Sequence, residues 1–346
     1  AAYGIYPAYR DLYAFHVMYE SRDARAEVEA YLDTYFMCEK QERVPTEPVA
    51  SIKNPPDIWR YFVAPHTMRL NLSGIDEAEY VMRHVFRINK SIDGAFVASS
   101  GKDRGAFKGV GYPEDIGAFY RLDEYRAWAW TAHGRFPTNT PGWWGGAHPF
   151  TLLNWSVVHN GEVSSYDANR RYVEQFGYSC GLQTDTEVIT YLFDLLCRRH
   201  GLSQEMAAHI MTAPSWDAID RMSPAQAAFE TALRTVYASA LVNGPFSVIL
   251  GSDEGILAIN DRLKLRALMA GEKGSMVYLA SERAAIEGVC PDAENIQPIE
   301  GGVPFVVQLD EVARRKSARS AWSNPTHAPL AHETGVLPRR EEAREL

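Results

Sequence analysis

The stretch HGRFPTNTPGWWGGAHPFTLLNWSVVHNGE, residues 133–162, is the most informative part of this 346-residue chain. It is followed by the acidic motif TDTE at residues 184–187. Together the two segments supply a guanidinium at Arg135, turn donors at Asn160-Gly161 and a carboxylate at Asp185. A fixed cation, two hydrogen-bond donors and an anion suit a site that grips a small zwitterionic amino acid.

Composition limits the classes of partner. The net charge of -9 comes from 44 acidic and 35 basic residues that form no long runs, so no face is built to neutralise phosphates. No apolar run approaches the roughly 18 to 20 residues that span a bilayer. We therefore expect a cytoplasmic protein with neither nucleic acid nor membrane as a partner.

The cysteines and histidines show no metal-binding pattern. Cys38, Cys180, Cys197 and Cys290 are widely spaced and form no C-x-x-C pair, and the ten histidines lack ligand spacing. We expect reduced thiols, no metal ion, and an inert Cys38, because no neighbouring base marks it as reactive.

Apolar periodicity predicts an α+β chain. Strand patterns occur at 12–19, 94–99, 105–111, 128–132, 152–158, 246–250, 256–259, 276–279 and 304–309. Helical spacing occurs at 21–40, 76–90, 167–176, 184–200, 203–238 and 281–289. The polar, proline-rich stretch 41–60 is predicted to be a loop. Strand blocks on either side of helical blocks predict two sheets covered by helices.

The domain organisation follows from the same pattern. We expect one large domain over residues 1–310 and a polar tail over 311–346, which carries charge, proline and serine but no apolar period. Such a tail is either solvated or ordered only on a partner.

Each candidate site residue also has an ordinary structural role. An arginine after a strand is often a structural ion pair, Asn-Gly is a common hairpin dipeptide, and a carboxylate in a first helical turn favours the helix. In the functional interpretation, Arg135 binds a carboxylate through two parallel hydrogen bonds while Thr138 adds a hydroxyl. Asn160 and Gly161 then stabilise an oxyanion, an effect of about 3 to 4 kcal/mol per donor. Asp185 binds an ammonium group, and Glu187 is the capping partner of Thr184.

Three motifs resemble one known family. HGRFPTNTPGWW is similar to the RF-x-TNT stretch of glutamate synthase glutaminase domains, HNGE resembles the turn of class II glutamine amidotransferases, and TDTEV resembles their downstream acidic motif. The motifs stand in the family's order, and the resemblance covers about residues 1–310.

The resemblance implies a fold and a set of roles. The fold would be a four-layer αββα sandwich of the N-terminal-nucleophile hydrolase type. Arg135, assisted by Thr138, would hold the α-carboxylate of glutamine, and Asp185 would hold its α-amino group. Asn160 and Gly161 would form the oxyanion hole. The family's nucleophile is a cysteine at the mature N-terminus, whose own α-amine serves as the base.

The chain departs from the family at that nucleophile. Residue 1 is Ala, no Cys-Gly-Ile start occurs, and an internal thiol such as Cys38 or Cys180 lacks a free α-amine. Either the first strand and its cysteine are missing from this sequence, or the protein binds glutamine without hydrolysing it. We favour the first alternative, because the residues expected to bind glutamine are retained.

The resulting hypothesis is a glutaminase subunit that hydrolyses glutamine to glutamate and ammonia and passes the ammonia to a glutamate synthase partner in a hetero-oligomer. The partner would carry FMN and an iron–sulfur cluster, since this chain has no motif for either. The alternatives are an amidotransferase that feeds another acceptor, such as a sugar phosphate or an aspartyl intermediate, and an inactive glutamine-binding or scaffold subunit.

Overall fold

The computed structural model describes residues 6–134 and 142–309. The strands are β1 (Tyr13–Tyr19), β2 (Phe36–Arg43), β3 (Asp57–Pro65), β4 (Ala95–Ser99), β5 (Phe150–Leu152), β6 (Trp155–Gly161), β7 (Phe246–Gly251), β8 (Gly255–Asn260), β9 (Met269–Lys273), β10 (Met276–Ala280), β11 (Glu294–Pro298) and β12 (Phe305–Gln308). The helices are α1 (Arg22–Tyr35), α2 (Thr67–Ser73), α3 (Glu77–Ser91), α4 (Pro113–Phe119), α5 (Tyr166–Gln175), α6 (Asp185–Phe193), α7 (Gln204–Met211), α8 (Trp216–Ile219), α9 (Pro224–Val236) and α10 (Arg283–Val289). Within the described ranges, none of these helices has the length and apolar character needed to span a bilayer.

The first large sheet has the strand order β2-β3-β1-β4, and every pairing in it is antiparallel. Phe15 and Val17, which point to the same face of β1, are completely buried. They share a hydrophobic core with Val28 of α1 and Ile88 of α3. Because α1 and α3 cover this face, the sheet has a helical layer.

The second large sheet has the order β12-β8-β7-β6-β5 and is also antiparallel. Val157 of β6 and Val248 of β7 are completely buried in one core with Leu192 of α6. Helices α6 and α7 cover this sheet. A third, smaller sheet, β10-β9-β11, was not predicted as a separate unit.

The segment that follows α6 is hydrogen-bonded to β6. The helix continues as a π-helical segment, Asp194–Arg199, whose first carboxylate is completely buried. Asp194 accepts hydrogen bonds from Trp155 Nε1 at 3.0 Å, from the Tyr178 hydroxyl at 2.5 Å and from Arg198 Nη2 at 2.7 Å. Since Trp155 begins β6, these bonds fix where the N-terminus of α6 lies relative to that strand.

The same segment reaches the helical layer of the first sheet. Arg198 Nη2 and Arg199 Nη2 both lie near the carboxylate of Glu79, at 3.2 Å and 2.9 Å. The rings of Phe86 in α3 and Tyr191 in α6 meet edge to face, with centroids 5.4 Å apart. The two halves of the molecule are therefore joined through α3 and the α6 helix.

Several sequence predictions are confirmed. Strands lie at 12–19, 94–99, 246–250, 256–259, 276–279 and 304–309, and helices lie at 76–90 and 167–176, each within a residue or two of the expected bounds. Two antiparallel sheets with helical cover agree with the predicted α+β class. The four-layer order and the missing first strand stay predictions. Residues 311–346 lie outside the described part of the chain.

Other predictions are wrong. The predicted loop 41–60 contains the end of β2 and the start of β3, an inner strand of the first sheet. The helix predicted to residue 40 ends at Tyr35, because Phe36 takes an extended conformation and starts β2. Polar residues on edge strand β2 and prolines before β3 hid the strand pattern from the sequence.

The segments 105–111 and 128–132 do not form strands. In the first, backbone groups bond to side chains instead of to a neighbouring strand. The Ala106 N–H donates to Ser99 Oγ at 3.1 Å, and the Lys108 carbonyl accepts from the Tyr120 hydroxyl at 2.6 Å. In the second, Thr131 Oγ1 lies 2.9 Å from Ser156 Oγ, a side-chain contact that needs no ladder.

Candidate active site

The end of β6 is a position that requires glycine. Gly161 has φ = +147°, and a Cβ atom there would lie 2.1 Å from the carbonyl oxygen of Pro245. Asn160 and Gly161 still pair with Ser247 and Phe246 of β7. The predicted tight hairpin turn at this dipeptide is therefore wrong. The dipeptide is the last part of a strand whose ladder partner follows much later in the chain.

The chain after Gly161 is held by three consecutive backbone donors. Glu162 N–H donates to the Pro245 carbonyl at 2.9 Å, and Ser164 N–H donates to the Asn243 carbonyl at 2.8 Å. Between them, Val163 N–H donates to Asp185 Oδ2 at 3.1 Å. Through Val163, the structure thus connects the chain just after the Asn160-Gly161 strand end to the Asp185 carboxylate.

Asp185 is the first residue of α6, after the N-cap Thr184. Its side chain is 17% exposed, and Oδ1 lies 3.4 Å from His159 Nδ1. Burial alone would raise the pKa of Asp185, but the hydrogen bond and charge interaction with His159 and the backbone N–H groups of Val163 and Thr186 lower it to about 2. Asp185 is therefore a fixed anion at neutral pH, at a helix N-terminus that also favours negative charge.

A row of buried polar side chains leads to Asp185. His159 Nδ1 and His148 Nε2 each lie 3.2 Å from the hydroxyl of Thr186. That hydroxyl lies 3.4 Å from Asp185 Oδ1. The ring of His133 stacks on His148, with centroids 4.1 Å apart. The sequence analysis did not identify this row, although His159 has the same strand parity as the buried Val157 and could have been placed on the inner face by alternation.

The side chain of Asn160 is exposed at the end of β6. Its backbone carbonyl accepts from Ser247 Oγ at 3.4 Å. An exposed amide and a glycine backbone next to a buried anion can bind a polar ligand that carries a positive group.

Arg135 and Thr138 lie outside the described residues, so the proposed carboxylate side of the site stays a prediction. The described residues before them lie against the site. Thr131 contacts Ser156 of β6, and His133 stacks on His148.

Glu187 is not the capping partner that the sequence predicted. Its carboxylate accepts the Leu182 N–H at 3.0 Å and the Tyr191 hydroxyl at 2.9 Å, and the N-cap of α6 is completed by Thr184 with the Thr186 N–H. Burial is the main cause that raises the pKa of Glu187 to about 7. The loop before α6 passes close enough to offer its own N–H, which removes the need for a reciprocal capping bond.

Glu187 lines a large cleft that also contains Lys108. The cleft has a volume of about 1760 Å³ and runs between β4 and β5. Lys108 is 2% exposed, its Nζ donates to the Gly145 carbonyl at 2.7 Å, and it lies 4.7 Å from the centre of the Phe150 ring. Burial lowers the pKa of Lys108 to about 7, against the opposing attraction of Glu187. The sequence analysis missed Lys108, because nothing around it marks a buried lysine.

None of the three thiols whose pKa is shifted is activated. Burial raises the pKa of Cys38, and it raises those of Cys180 and Cys197 to about 12. Glu187 adds to the effect at Cys180. Such thiols are protonated at neutral pH and are poor nucleophiles. Among the described residues, no three His, Cys, Asp or Glu side chains are grouped so that they could hold a metal ion.

Comparison with known proteins identifies the family of this chain. A sequence model of the family described as "Glutamine amidotransferases class-II" matches residues 37–313, which is most of the chain. The chain belongs to this family. The residues matched by this class II glutamine amidotransferase model include the Asn160-Gly161 strand end and Asp185 at the start of α6.

Individual relatives differ in how much they share with this amidotransferase chain. An uncharacterized protein of Archaeoglobus fulgidus is 48% identical over 89% of this chain and 82% of its own length. A putative glutamine amidotransferase of Methanothermobacter thermautotrophicus is 24% identical over 57% of this chain and 58% of its own length. The glutamate synthase [NADPH] large chain of Bacillus subtilis is 27% identical over 75% of this chain, but the match spans only 18% of that large chain.

Proposed function

We propose that this chain is the glutaminase part of an amidotransferase, which hydrolyses glutamine to glutamate and ammonia and passes the ammonia to a glutamate synthase partner. One observation carries the proposal: the Asp185 carboxylate is held as an anion two residues from the Asn160-Gly161 strand end, through its bond from Val163 N–H. On this proposal, an amino acid bound to that carboxylate extends its side chain toward Asn160 and Gly161.

The roles follow from the chemistry of each group. Asp185 accepts the α-ammonium group of glutamine in a charge-assisted hydrogen bond. Arg135 and Thr138 bind the α-carboxylate. Asn160 and Gly161 donate to the oxygen of the side-chain amide as it becomes an oxyanion during attack.

The nucleophile in this proposal is a thiol with a free α-amine as its base. Cys38, Cys180 and Cys197 do not fill that role, because their raised pKa values keep them protonated. On this proposal the domain is the four-layer sandwich of the N-terminal-nucleophile hydrolases.

The partner is the finer part of the proposal. The relationship to the glutamate synthase large chain and the RFPTNT segment at 135–140 support a synthase that carries FMN and an iron–sulfur cluster. A second candidate is transfer to a sugar-phosphate acceptor. A glutamine--fructose-6-phosphate aminotransferase of Sulfurisphaera tokodaii supports it, with 30% identity over 33% of this chain.

Calorimetry with glutamine tests the site, and ammonia release by the native gene product tests the reaction. Asp185→Asn should weaken glutamine binding about tenfold to a hundredfold, because a charged hydrogen bond contributes about 1.5 to 3 kcal/mol. Asp167→Asn is the matched control, since Asp167 lies in the first turn of α5 and its side chain is 71% exposed.

The possible outcomes separate the candidates. Binding with turnover supports a glutaminase, and the protein that co-purifies with it identifies the acceptor. Binding without turnover supports a glutamine-binding subunit. Equal affinities for the wild type and the Asp185 variant would contradict the site.

A further inference from the structure

The buried polar row beside Asp185 is more extensive than ion-pair recognition requires. It consists of His148, Thr186 and His159, which come from the segment before β5, from α6 and from β6. His148, His159 and Thr186 are each less than one-tenth exposed. Burying polar groups costs free energy unless they are hydrogen-bonded, so three of them in contact must form an ordered network.

The direction of the hydrogen bonds follows from His159. Its Nε2 atom is buried and has no hydrogen-bond partner among the described residues. A proton on Nε2 would therefore be an unpaired buried donor, and the Nδ1 lone pair would face the Asp185 carboxylate. A proton on Nδ1 donates instead to Asp185 Oδ1 at 3.4 Å and to Thr186 Oγ1 at 3.2 Å. The Nδ1–H form is the one that the surroundings stabilise.

Thr186 takes its direction from the same anion. Its hydroxyl donates to Asp185 Oδ1, which leaves the oxygen lone pairs to accept from His148 Nε2 and His159 Nδ1. The His159 and Thr186 donors therefore point toward one carboxylate, and His148 Nε2 points toward the Thr186 hydroxyl.

We propose that His159 and Thr186 are positioning residues that hold Asp185 as an oriented anion for the α-ammonium group of the amino-acid substrate, with His148 orienting the Thr186 hydroxyl. This inference rests on the proposed function for the identity of the ligand. The row contacts the carboxylate through His159 and Thr186, and none of its members needs to contact the substrate.

The effect has a definite pH signature. Among the described residues, the titratable groups around Asp185 are His159 on β6, His148 through Thr186, and Glu187 on α6, whose carboxylate is bonded to Leu182 and Tyr191. From α5, Tyr166 lies within electrostatic range of Glu187. Loss of the His159 donor raises the pKa of Asp185, because that hydrogen bond is the largest of the causes that lower it. Glutamine affinity should then fall at a higher pH than in the wild type.

Two substitutions at one position separate positioning from packing. His159→Leu removes both ring nitrogens and keeps an apolar side chain of similar bulk. His159→Asn keeps an amide donor near the place of Nδ1. Val248→Ala is the control, because Val248 is the completely buried residue paired with His159 across β6 and β7, and it makes no bond to Asp185.

The experiment measures the dissociation constant for glutamine from pH 2 to 8 with the full-length native protein. His159→Leu should weaken binding about tenfold at neutral pH, the loss expected for one charge-assisted bond, and should move the acidic loss of affinity to higher pH. His159→Asn should bind within about twofold of the wild type. Val248→Ala should destabilise the fold without moving the pH profile.

Contrary results are equally clear. A wild-type profile for His159→Leu, or no rescue by His159→Asn, overturns the inference while leaving the proposed function in place. A profile that moves as much with Val248→Ala also overturns it, because the effect would then follow stability. If the leucine variant does not fold, the asparagine variant and the wild-type imidazole spectrum decide.

Nitrogen-15 NMR of the wild-type histidines needs no ligand. It should show His159 protonated at Nδ1, and protonation at Nε2 alone overturns the inference. A wild-type protein that binds no glutamine removes the proposed function and this assignment of the ligand, whereas the spectrum still reports whether His159 donates to Asp185.

Discussion

Asp185 and Glu187 lie two residues apart in the first turn of α6. Both are mostly buried, yet their pKa values shift in opposite directions. The pKa of Asp185 falls to about 2, whereas that of Glu187 rises to about 7. Asp185 faces the polar row and the strand end, and Glu187 faces the cleft. Burial raises the pKa of both carboxyls, and the donors that surround each one decide the outcome.

The difference teaches that the helix N-terminus does not by itself set the charge of a carboxylate. Both side chains share the same helix dipole, so it cannot explain two opposite shifts. His159, a side chain on another element, lies 3.4 Å from Asp185 Oδ1 and supplies the largest of the causes that lower the pKa of Asp185. Glu187 has Tyr191 and Leu182 as donors, but these and the attraction of Lys108 do not outweigh its burial.

Gly161→Ala should have the largest effect on the Asp185 side of this comparison. A Cβ atom at 2.1 Å from the Pro245 carbonyl forces the backbone apart and adds positive-φ strain, so we expect a loss of several kcal/mol in the free energy of unfolding. Denaturant unfolding measures it. The control is Gly177→Ala, which has φ = +82° but nothing within 4 Å, and should lose only about 1 to 2 kcal/mol. Equal losses in the two variants would contradict the close-approach argument.

Glu187→Gln isolates the other side of the comparison. Because the native pKa is raised, the buried carboxyl does not lower the free energy of unfolding below its usual pKa of 4.5, where it is protonated in both states. Its destabilising effect grows as the pH rises to about 7. The variant should therefore gain stability relative to the wild type between pH 4.5 and 7, on the order of 2 to 3 kcal/mol. The loss of the hydrogen bond from Leu182 changes the stability of the variant by the same amount at every pH. A difference between the two proteins that does not change with pH would argue against the raised pKa.

Asp185→Asn should show the opposite sign. A carboxyl with a lowered pKa contributes stability above its unfolded value of 3.8, and that contribution is lost as the pH falls to about 2. The variant should be about 2 kcal/mol less stable than the wild type at neutral pH and equally stable near pH 2. Thermal unfolding from pH 2 to 7 tests this, with Asp167→Asn expected to match the wild type throughout.

Lys108→Met should have the smallest effect and sharpen the comparison at the cleft. Lys108 is one of the causes that lower the pKa of Glu187, so its loss should raise that pKa further. The stability difference between a protein with Glu187 and its Glu187→Gln counterpart changes as the pH rises to about 7. In the Lys108→Met background, this change should move to higher pH. An unmoved transition would mean that the amine and the carboxyl do not interact across the cleft.

The sequence was sufficient to single out the short segments of the candidate site, but not the contacts between them. Asn160-Gly161 and TDTE are short motifs, and the structure connects them through Val163, whose N–H donates to Asp185. The role of Glu187 was mispredicted, because a local capping rule cannot know that Leu182 passes close enough to bond its carboxylate. Likewise, β3 was missed, since its neighbours β1 and β2 supply the burial that the proline-rich sequence around it does not indicate.

Lys108 and His148 show a different limit of sequence reasoning. Each is buried by residues far along the chain, Gly145 for the lysine and Thr186 for the histidine. No spacing rule connects such positions, because the contacts arise when separate sheets and helices pack together.

The π-helical segment Asp194–Arg199 constrains how this chain can vary in length. Its wide turn allows the consecutive side chains of Arg198 and Arg199 to reach the same carboxylate, Glu79 of α3. Removing one residue there would replace the wide turn by an ordinary α-helical turn, in which two consecutive side chains project about 100° apart. Arg198 and Arg199 would then no longer both reach Glu79, so length changes should be tolerated in the loops flanking this helix and rejected within the segment.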